Sequence, residues 1–236
     1  MDRSMNSANA SATGSARTKR MRCLIAGGGT GGHLFPGIAV AMELRRRFRA
    51  DVLFVTGLRK LERDVLLQSG FRAKSIRVEG IKGRGWRKSL LAGMKLPLGM
   101  LQSVWILRSF KPNVVFGVGG YSAGPVCLAA SIMGIPTAIH EQNAYPGVTN
   151  RALAGRVDRA FISFEACRPH LRTRSVFLTG NPVRKEFFAI DETGLRPEQK
   201  FELLVLGGSQ GSLAINRAVV DALSLMKDRG LDLHVT

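Results

Sequence analysis

Acidic residues are scarce. Over 236 residues, 17 Asp and Glu face 35 Lys and Arg, a formal net charge of +18. Such an excess points to an anionic partner: nucleic acid, a phosphorylated substrate or acidic lipid. Charge alone does not choose among these, and a solubilising surface would carry it as well. Cysteine is also rare. Cys23, Cys127 and Cys167 lie far apart, which excludes a metal-ligand cluster and a disulfide scaffold. Reduced thiols in the cytosol are expected, with Cys23 and Cys127 in apolar runs as core residues. No D-x-D occurs, so no metal-binding carboxylate pair is evident, and no G-x-x-x-x-G-K-[ST] marks a P-loop. Residues 1–20 lack an apolar run, which excludes a secretory signal and suits a disordered tail better than a transit peptide.

From Met21 onward, short β-branched runs alternate with helical patterns. The runs are Arg22–Ala26, Val52–Thr56, Ser75–Val78, Val114–Val118, Thr137–His140, Ala160–Ser163 and Val176–Thr179. Helical periodicity covers Pro36–Arg47 and Leu61–Gln68. The alternation predicts βαβ units around a parallel sheet, and wholly apolar strands such as NVVFGV predict a sheet covered on both faces. At 181–199 the texture turns polar and proline-containing, as in a linker. At 200–236 the pattern restarts with FELLVLGGSQGS and an apolar helix from Ala214 to Met226. Two strands and one helix do not close an α/β domain. The expectation is a complete domain over 21–180 and the opening of a second, truncated one.

Glycine is abundant where strands hand over to helices. LIAGGGTGGH (24–33), GVGGYSAGP (117–125) and LVLGGSQGS (204–212) are all strand-then-glycine openings. Glycine lets a backbone approach a ligand closely, and amides at a helix N-terminus offer donors and partial positive charge to an anion. In a doubly wound sheet such loops gather beyond the carboxyl ends of the strands. Gly27, Gly29 and Gly32 also satisfy G-x-G-x-x-G, the dinucleotide fingerprint. That fingerprint expects an acid about 20 residues on, at the tip of the second strand. The strand VLFVT instead runs into Gly57 and Leu58. A nucleotide-dependent oxidoreductase is therefore the weaker alternative.

GGTGGHLFPGIAVA, GVGGYSAGP, HEQNAYPGVTN, GNPVR and GGSQG follow one another in a single order. Together they resemble the MurG family, bacterial glycosyltransferases that make lipid II in peptidoglycan synthesis. The resemblance runs from Met21 to the end of the chain. It implies a GT-B architecture: two Rossmann-like, doubly wound α/β domains across a cleft, the second incomplete here. It implies inverting transfer of N-acetylglucosamine from UDP-N-acetylglucosamine to undecaprenyl-pyrophosphoryl-N-acetylmuramoyl pentapeptide. No cofactor, metal or nucleic acid is implied. The expected setting is the cytoplasmic face of the bacterial inner membrane, as a peripheral protein. Most of the family's donor site would lie past Thr236, so the chain alone is expected to be inactive, a membrane-associated fragment.

By resemblance, His33 is a candidate general base, and a neutral imidazole suits that role. Glu141 is the competing candidate, and His140 reads as structural. Thr30, Gly31 and Gly32 match the donor-contacting loop. Asn143 matches a donor- or diphosphate-binding position, and Arg184 matches a diphosphate contact. Ser209 and Gln210 match the donor-side loop of the second domain. Gly119, Gly120 and Tyr121 match the acceptor loop.

Between Arg72 and Lys111, ten basic residues surround one acid, Glu79. Within this stretch lies SLLAGMKLPLGMLQSVWIL, Ser89 to Leu107, interrupted by Lys95, Pro97 and Gln102. Apolar residues ringed by Lys and Arg suit a helix lying on an anionic leaflet without spanning it; a core helix with a basic flank is the alternative. Lys82, Arg84, Trp86, Arg87, Lys88, Leu90, Leu91, Met94 and Lys95 are the candidate membrane contacts.

Overall fold

The computed structural model describes residues 20–78, 86–173, 175–188, 201–207, 211–226 and 233–235. Seven parallel strands form one sheet in the order β3-β2-β1-β4-β5-β6-β7. They are β1 Arg22–Ala26, β2 Asp51–Thr56, β3 Arg72–Ser75, β4 Val114–Gly117, β5 Thr137–Glu141, β6 Arg159–Ile162 and β7 Val176–Leu178. The helices are α1 Gly31–Phe48, α2 Lys60–Gln68, α3 Trp86–Phe110, α4 Ala123–Ile132 and α5 Val148–Leu153. A separate β8 Phe201–Leu203, α6 Leu213–Met226 and β9 Leu233–Val235 make a second parallel pair with its own helix.

Side chains alternate across each strand, so one apolar strand feeds two cores. Cys23 and Ile25 of β1, with Val52 and Phe54 of β2, pack with Leu34, Ile38 and Ala41 of α1. Leu24, Ala26, Leu53 and Val55 pack on the other face with Ile106, Leu107 and Phe110 of α3 and Val126 and Cys127 of α4. This double coverage accounts for the continuous apolar runs. Burial pushes the Cys23 and Cys127 thiols up to about 12, as inert core groups.

Two expectations shift. The third strand is Arg72–Ser75, not Ser75–Val78. Its register against β2 pairs Ser75 with Thr56, where β2 ends. An edge strand needs little apolar character, so RAKS escapes a search for hydrophobic runs. Helix α1 begins at Gly31 rather than Pro36. Two glycines are a poor helix signal, and tertiary packing of the loop overrides that local preference.

The chain runs outward from β1 to β2 and β3, then returns through α3 to β4 on the other side of β1. That reversal leaves a crevice above β1 and β4 at their carboxyl ends, the usual ligand position in such sheets. The register sets Ala26 beside Gly117, so the first two glycine loops leave the sheet at one height.

Candidate active site

The loops after β1 and β4 touch through their backbones. The Gly28 amide donates to the Gly119 carbonyl at 3.4 Å. A Cβ placed on Gly120, where φ is +81°, would stand 2.0 Å from the Gly28 oxygen. Only glycine fits that crossing, and the sign of φ favours it independently.

Thr30 caps α1 with extended backbone, and its side chain leaves the helix amides open. The Thr30 hydroxyl lies 2.9 Å from Nδ1 of His33 instead. The His33 and Leu34 amides donate to the Thr30 carbonyl, both at 3.2 Å, which leaves those of Gly31 and Gly32 to meet an anion. The His33 ring lies against Gly119, where a Cβ would be 2.6 Å from Cδ2 and 3.0 Å from Nε2. Burial lowers the His33 pKa below its ordinary value; the nearby Glu141 and Glu62 carboxylates oppose that shift. Its resting form at neutral pH is thus the uncharged imidazole.

Glu141 ends β5 and is 1% exposed. Its Oε1 accepts from the Asn143 amide at 3.0 Å and from Asn143 Nδ2 at 2.9 Å. Its Oε2 accepts from the Gly147 amide and from Asn150 Nδ2, both at 2.9 Å. Four donors converge on one carboxylate and tie the whole 142–147 loop to the sheet. Its immediate neighbour His140 is buried, with Nε2 3.2 Å from the Gly180 carbonyl, in keeping with a structural histidine.

Asn143 is exposed at the crevice, with its amide nitrogen held by Glu141 and its oxygen directed to no described partner. Tyr121 is exposed beside the Gly119–Gly120 turn. The Arg184 guanidinium stacks 4.7 Å over the ring of Phe35, in the second turn of α1. Thr30, Gly31, Gly32, His33, Gly119, Gly120 and Asn143 therefore gather at the carboxyl ends of β1, β4 and β5, with Arg184 over the Phe35 ring of α1. Ser209 and Gln210 lie outside the described residues.

The sequence did not single out Glu62, Arg59, Gln142 or Asn150. Glu62, in the first turn of α2 and 4% exposed, accepts from the Gly29 amide, while Arg59 donates to the Gly29 carbonyl. The Gly29 peptide is clamped on both sides. Gln142 Nε2 donates to the Val118 carbonyl at 3.0 Å, and Asn150 Nδ2 to the His140 carbonyl at 2.9 Å. A polar residue buried beneath a glycine loop leaves a weak sequence signal; the polar start of α2, KLERD, looks like any solvated helix. The clamp also explains the missing acid at the tip of β2. The nearby carboxylate belongs to Glu62 and holds the protein's own loop.

The model of the glycosyltransferase family 28 N-terminal domain matches residues 23–162, from the first strand through the sixth. The chain belongs to glycosyltransferase family 28. Within the family it is 51% identical over 212 residues to the UDP-N-acetylglucosamine–N-acetylmuramyl-(pentapeptide) pyrophosphoryl-undecaprenol N-acetylglucosamine transferase of Syntrophus aciditrophicus (strain SB), covering 88% of this chain and 58% of that one. The protein of the same name from Myxococcus xanthus (strain DK1622) is 45% identical, with 91% of this chain and 56% of that one covered. The chain thus spans somewhat over half the length of these curated relatives. The crystal structure of Acinetobacter baumannii MurG superposes with a TM-score of 0.68 at 26% identity, over 91% of this chain and 67% of that one. The UDP-GlcNAc 2-epimerase of Neisseria meningitidis shares the fold at 16% identity and a TM-score of 0.58, over 91% of this chain and 65% of that one. The motif-based resemblance to MurG is borne out, and an oxidoreductase is not favoured. The fold is the N-terminal Rossmann-like unit of a family 28 GT-B protein with the opening of a second unit.

Of the candidate membrane contacts, Lys82 and Arg84 lie outside the described residues. Trp86, Arg87, Lys88, Leu90, Leu91, Met94 and Lys95 fall on the first turns of α3, whose described side chains begin at Leu96. Farther along α3, Leu101 is 68% exposed and Trp105 65%, with Lys74 Nζ 4.6 Å over the Trp105 ring. No helix among the described residues is long and apolar enough to cross a membrane. Among the same residues no group of three or more His, Cys, Asp or Glu is placed to hold a metal ion.

Proposed function

We propose that this chain forms the acceptor-side half of an inverting N-acetylglucosaminyltransferase. The substrates are UDP-N-acetylglucosamine and undecaprenyl-pyrophosphoryl-N-acetylmuramoyl pentapeptide; the product is lipid II. The relatives' shared name supports this substrate pair. The observation that carries the reading is the His33 imidazole in the first turn of α1, held against Gly119 where the β1 and β4 loops cross.

In the reaction the acceptor hydroxyl oxygen bonds to the anomeric carbon of N-acetylglucosamine, and the bond from that carbon to the UDP oxygen breaks. The hydroxyl proton goes to Nε2 of His33. In the tautomer whose Nδ1–H donates to Thr30 Oγ1, 2.9 Å away, Nε2 carries the free lone pair. Glu141 is less well placed to take a proton, because four N–H donors already occupy its oxygens. It acts instead as the post that holds Asn143 and Gly147 in place. The first-turn amides of α1 at Gly31 and Gly32, with Arg184, take the charge of a diphosphate. Ser209 and Gln210 belong to the donor side. Asn143 binds on the donor and diphosphate side, and Tyr121 belongs to the acceptor loop.

The working division is a tail over 1–20, an acceptor and membrane domain over 21–180, a linker over 181–199 and a donor domain beginning at 200. The first domain rests peripherally on the anionic cytoplasmic leaflet through α3 and the basic residues around it. The exposed Leu101 and Trp105, with Lys74 beside them, support that face.

The test is UDP release from UDP-N-acetylglucosamine with a lipid-linked muramoyl acceptor, in a chain extended to the length of its relatives. His33→Ala should lower kcat by about 10²–10⁴-fold and leave donor KM little changed. Near-normal turnover in that variant would falsify the base assignment.

A further inference from the structure

A strongly basic hollow lies at the amino ends of β1, β2 and β3, opposite the crevice. Its volume is about 740 Å³, within the roughly 300–1,000 Å³ range of small-molecule sites. Five arginines line it: Arg20 and Arg22 at the start of β1, Arg45 and Arg49 at the end of α1, and Arg72 opening β3. Asp51 is the only acid among its described lining residues; it accepts from Arg72 at 2.6 Å and has Arg22 at 4.0 Å. The Arg22 guanidinium lies 4.6 Å over the ring of Phe110, and that of Arg45 lies 4.0 Å over Phe71. Stacking fixes where these two charges sit without neutralising them. Arg20, Arg45 and Arg49 meet no described carboxylate, whereas Arg46 and Arg47 in the same turn are both held by Glu43. Cations in the last turn of α1 complement the helix dipole, but Arg20, Arg22 and Arg72 arrive from other segments. Arg49 also sits in the left-handed region, with φ of +49° and ψ of +33°, where a helix commonly ends on glycine. A side chain placed there at a cost to the fold points to a use for it.

We propose that this hollow binds a compact, soluble polyphosphate at a site separate from the reaction crevice. Helix α1 spans 18 residues, roughly 27 Å, with His33 in its first turn and the arginines at its other end. Five guanidinium groups converging on one concave space repel one another and call for several negative charges in a small volume. Asp51 supplies a single carboxylate and leaves most of that charge unmet. The planar fork of arginine matches phosphoryl oxygens two at a time, which a lysine cluster would not do. A membrane headgroup is the poorer source of the phosphate. Beyond its charged residues the lining adds only Ala50 and Val52, 5% and 2% exposed, so it offers no apolar side chain to insert into a bilayer. A soluble polyphosphate needs none.

Inorganic tripolyphosphate is titrated calorimetrically into the 236-residue protein at physiological ionic strength, beside Arg49→Gly and Arg46→Gln. Arg49→Gly should weaken binding roughly tenfold or more, the loss expected for one charge-assisted contact. Its melting temperature without ligand should be unchanged or higher, because glycine suits the left-handed backbone, so the loss cannot come from misfolding. Arg46→Gln removes the same charge one turn away, from a side chain already held by Glu43, and should bind as the parent does. No binding by the parent, or full affinity in Arg49→Gly, overturns the site; in the second case the anion sits elsewhere, as at the glycine loops. Equal weakening by both variants reduces the effect to diffuse surface charge and overturns it as well. Hexaglutamate binding as tightly as tripolyphosphate would overturn the phosphate assignment. Phosphatidylglycerol vesicles that depend on Arg49 while tripolyphosphate fails to bind would make the hollow a headgroup contact and overturn the soluble ligand.

Discussion

The ring of His33 rests on the bare backbone of Gly119: a methyl group there would stand 2.6 Å from Cδ2 of the imidazole. Residue 119 also has φ of +88°, which L side chains rarely adopt. Gly119→Ala should therefore strain the β4 loop and push the imidazole off its position. A displacement of about 1 Å at a reacting group can cost on the order of 100-fold. The expected result is a kcat loss of that size in the extended protein, measured by steady-state UDP release. Normal kcat would show that the position of His33 is not critical to turnover.

Glu141 and His33 should separate by stability. Glu141→Ala leaves four N–H donors without this acceptor, and each that stays buried, as Asn150 Nδ2 does, costs about 1–3 kcal/mol. A large fall in melting temperature is expected, with Glu141→Gln intermediate. His33→Ala should melt close to the parent. A Glu141 variant that melts normally yet loses turnover as His33→Ala does would make Glu141 the base.

Two histidines link stability to pH. Burial lowers the folded-state pKa of both His33 and His140 below 6.5; Glu141 and Glu62 oppose this for His33, and the Gly180 carbonyl and Glu141 for His140. Just below pH 6.5 the unfolded chain then binds more protons than the folded one. The stability these groups confer is complete above that pH and is lost as pH falls through the window beneath it. Urea midpoints measured from pH 7.5 to 5.5 should fall on acidification. Removing one titrating group in His140→Phe should flatten the slope, and an unchanged slope would assign the loss to other groups.

Membrane binding should be electrostatic with an apolar component. Basic residues near an anionic surface contribute roughly 1 kcal/mol each, and salt screens them. Co-sedimentation with anionic vesicles should weaken as salt rises and fall further when Arg84, Arg87, Lys88 and Lys95 are all changed to Gln. Leu101→Ser with Trp105→Ser should remove a salt-insensitive part. Equal binding to neutral and anionic vesicles would mean that α3 is a core helix with a basic flank.

Much of this molecule was legible in its residues taken a few at a time. The β-branched runs located six of the seven strands of the main sheet to within a residue or two, because a strand buried on both faces must be apolar throughout. Glycine at each strand-to-helix turn marked the loops, because close backbone approach tolerates little else. Five ordered motifs sufficed for the family. What local windows missed was weakly patterned or distant. The edge strand RAKS carries little apolar signal, and α1 starts on two glycines that no propensity would choose. Glu62 reaches the Gly29 amide across 33 residues, and Gly120 meets Gly28 only because the β1–β4 register sets Ala26 beside Gly117. Whether Glu141 is free or fully occupied likewise depends on how the chain from Asn143 to Asn150 folds back over it. Composition and short-range pattern determined which elements form and which residue types line the crevice. Tertiary structure alone decided which of those residues meet, because register and long-range packing are properties of the whole sheet and no short segment contains them.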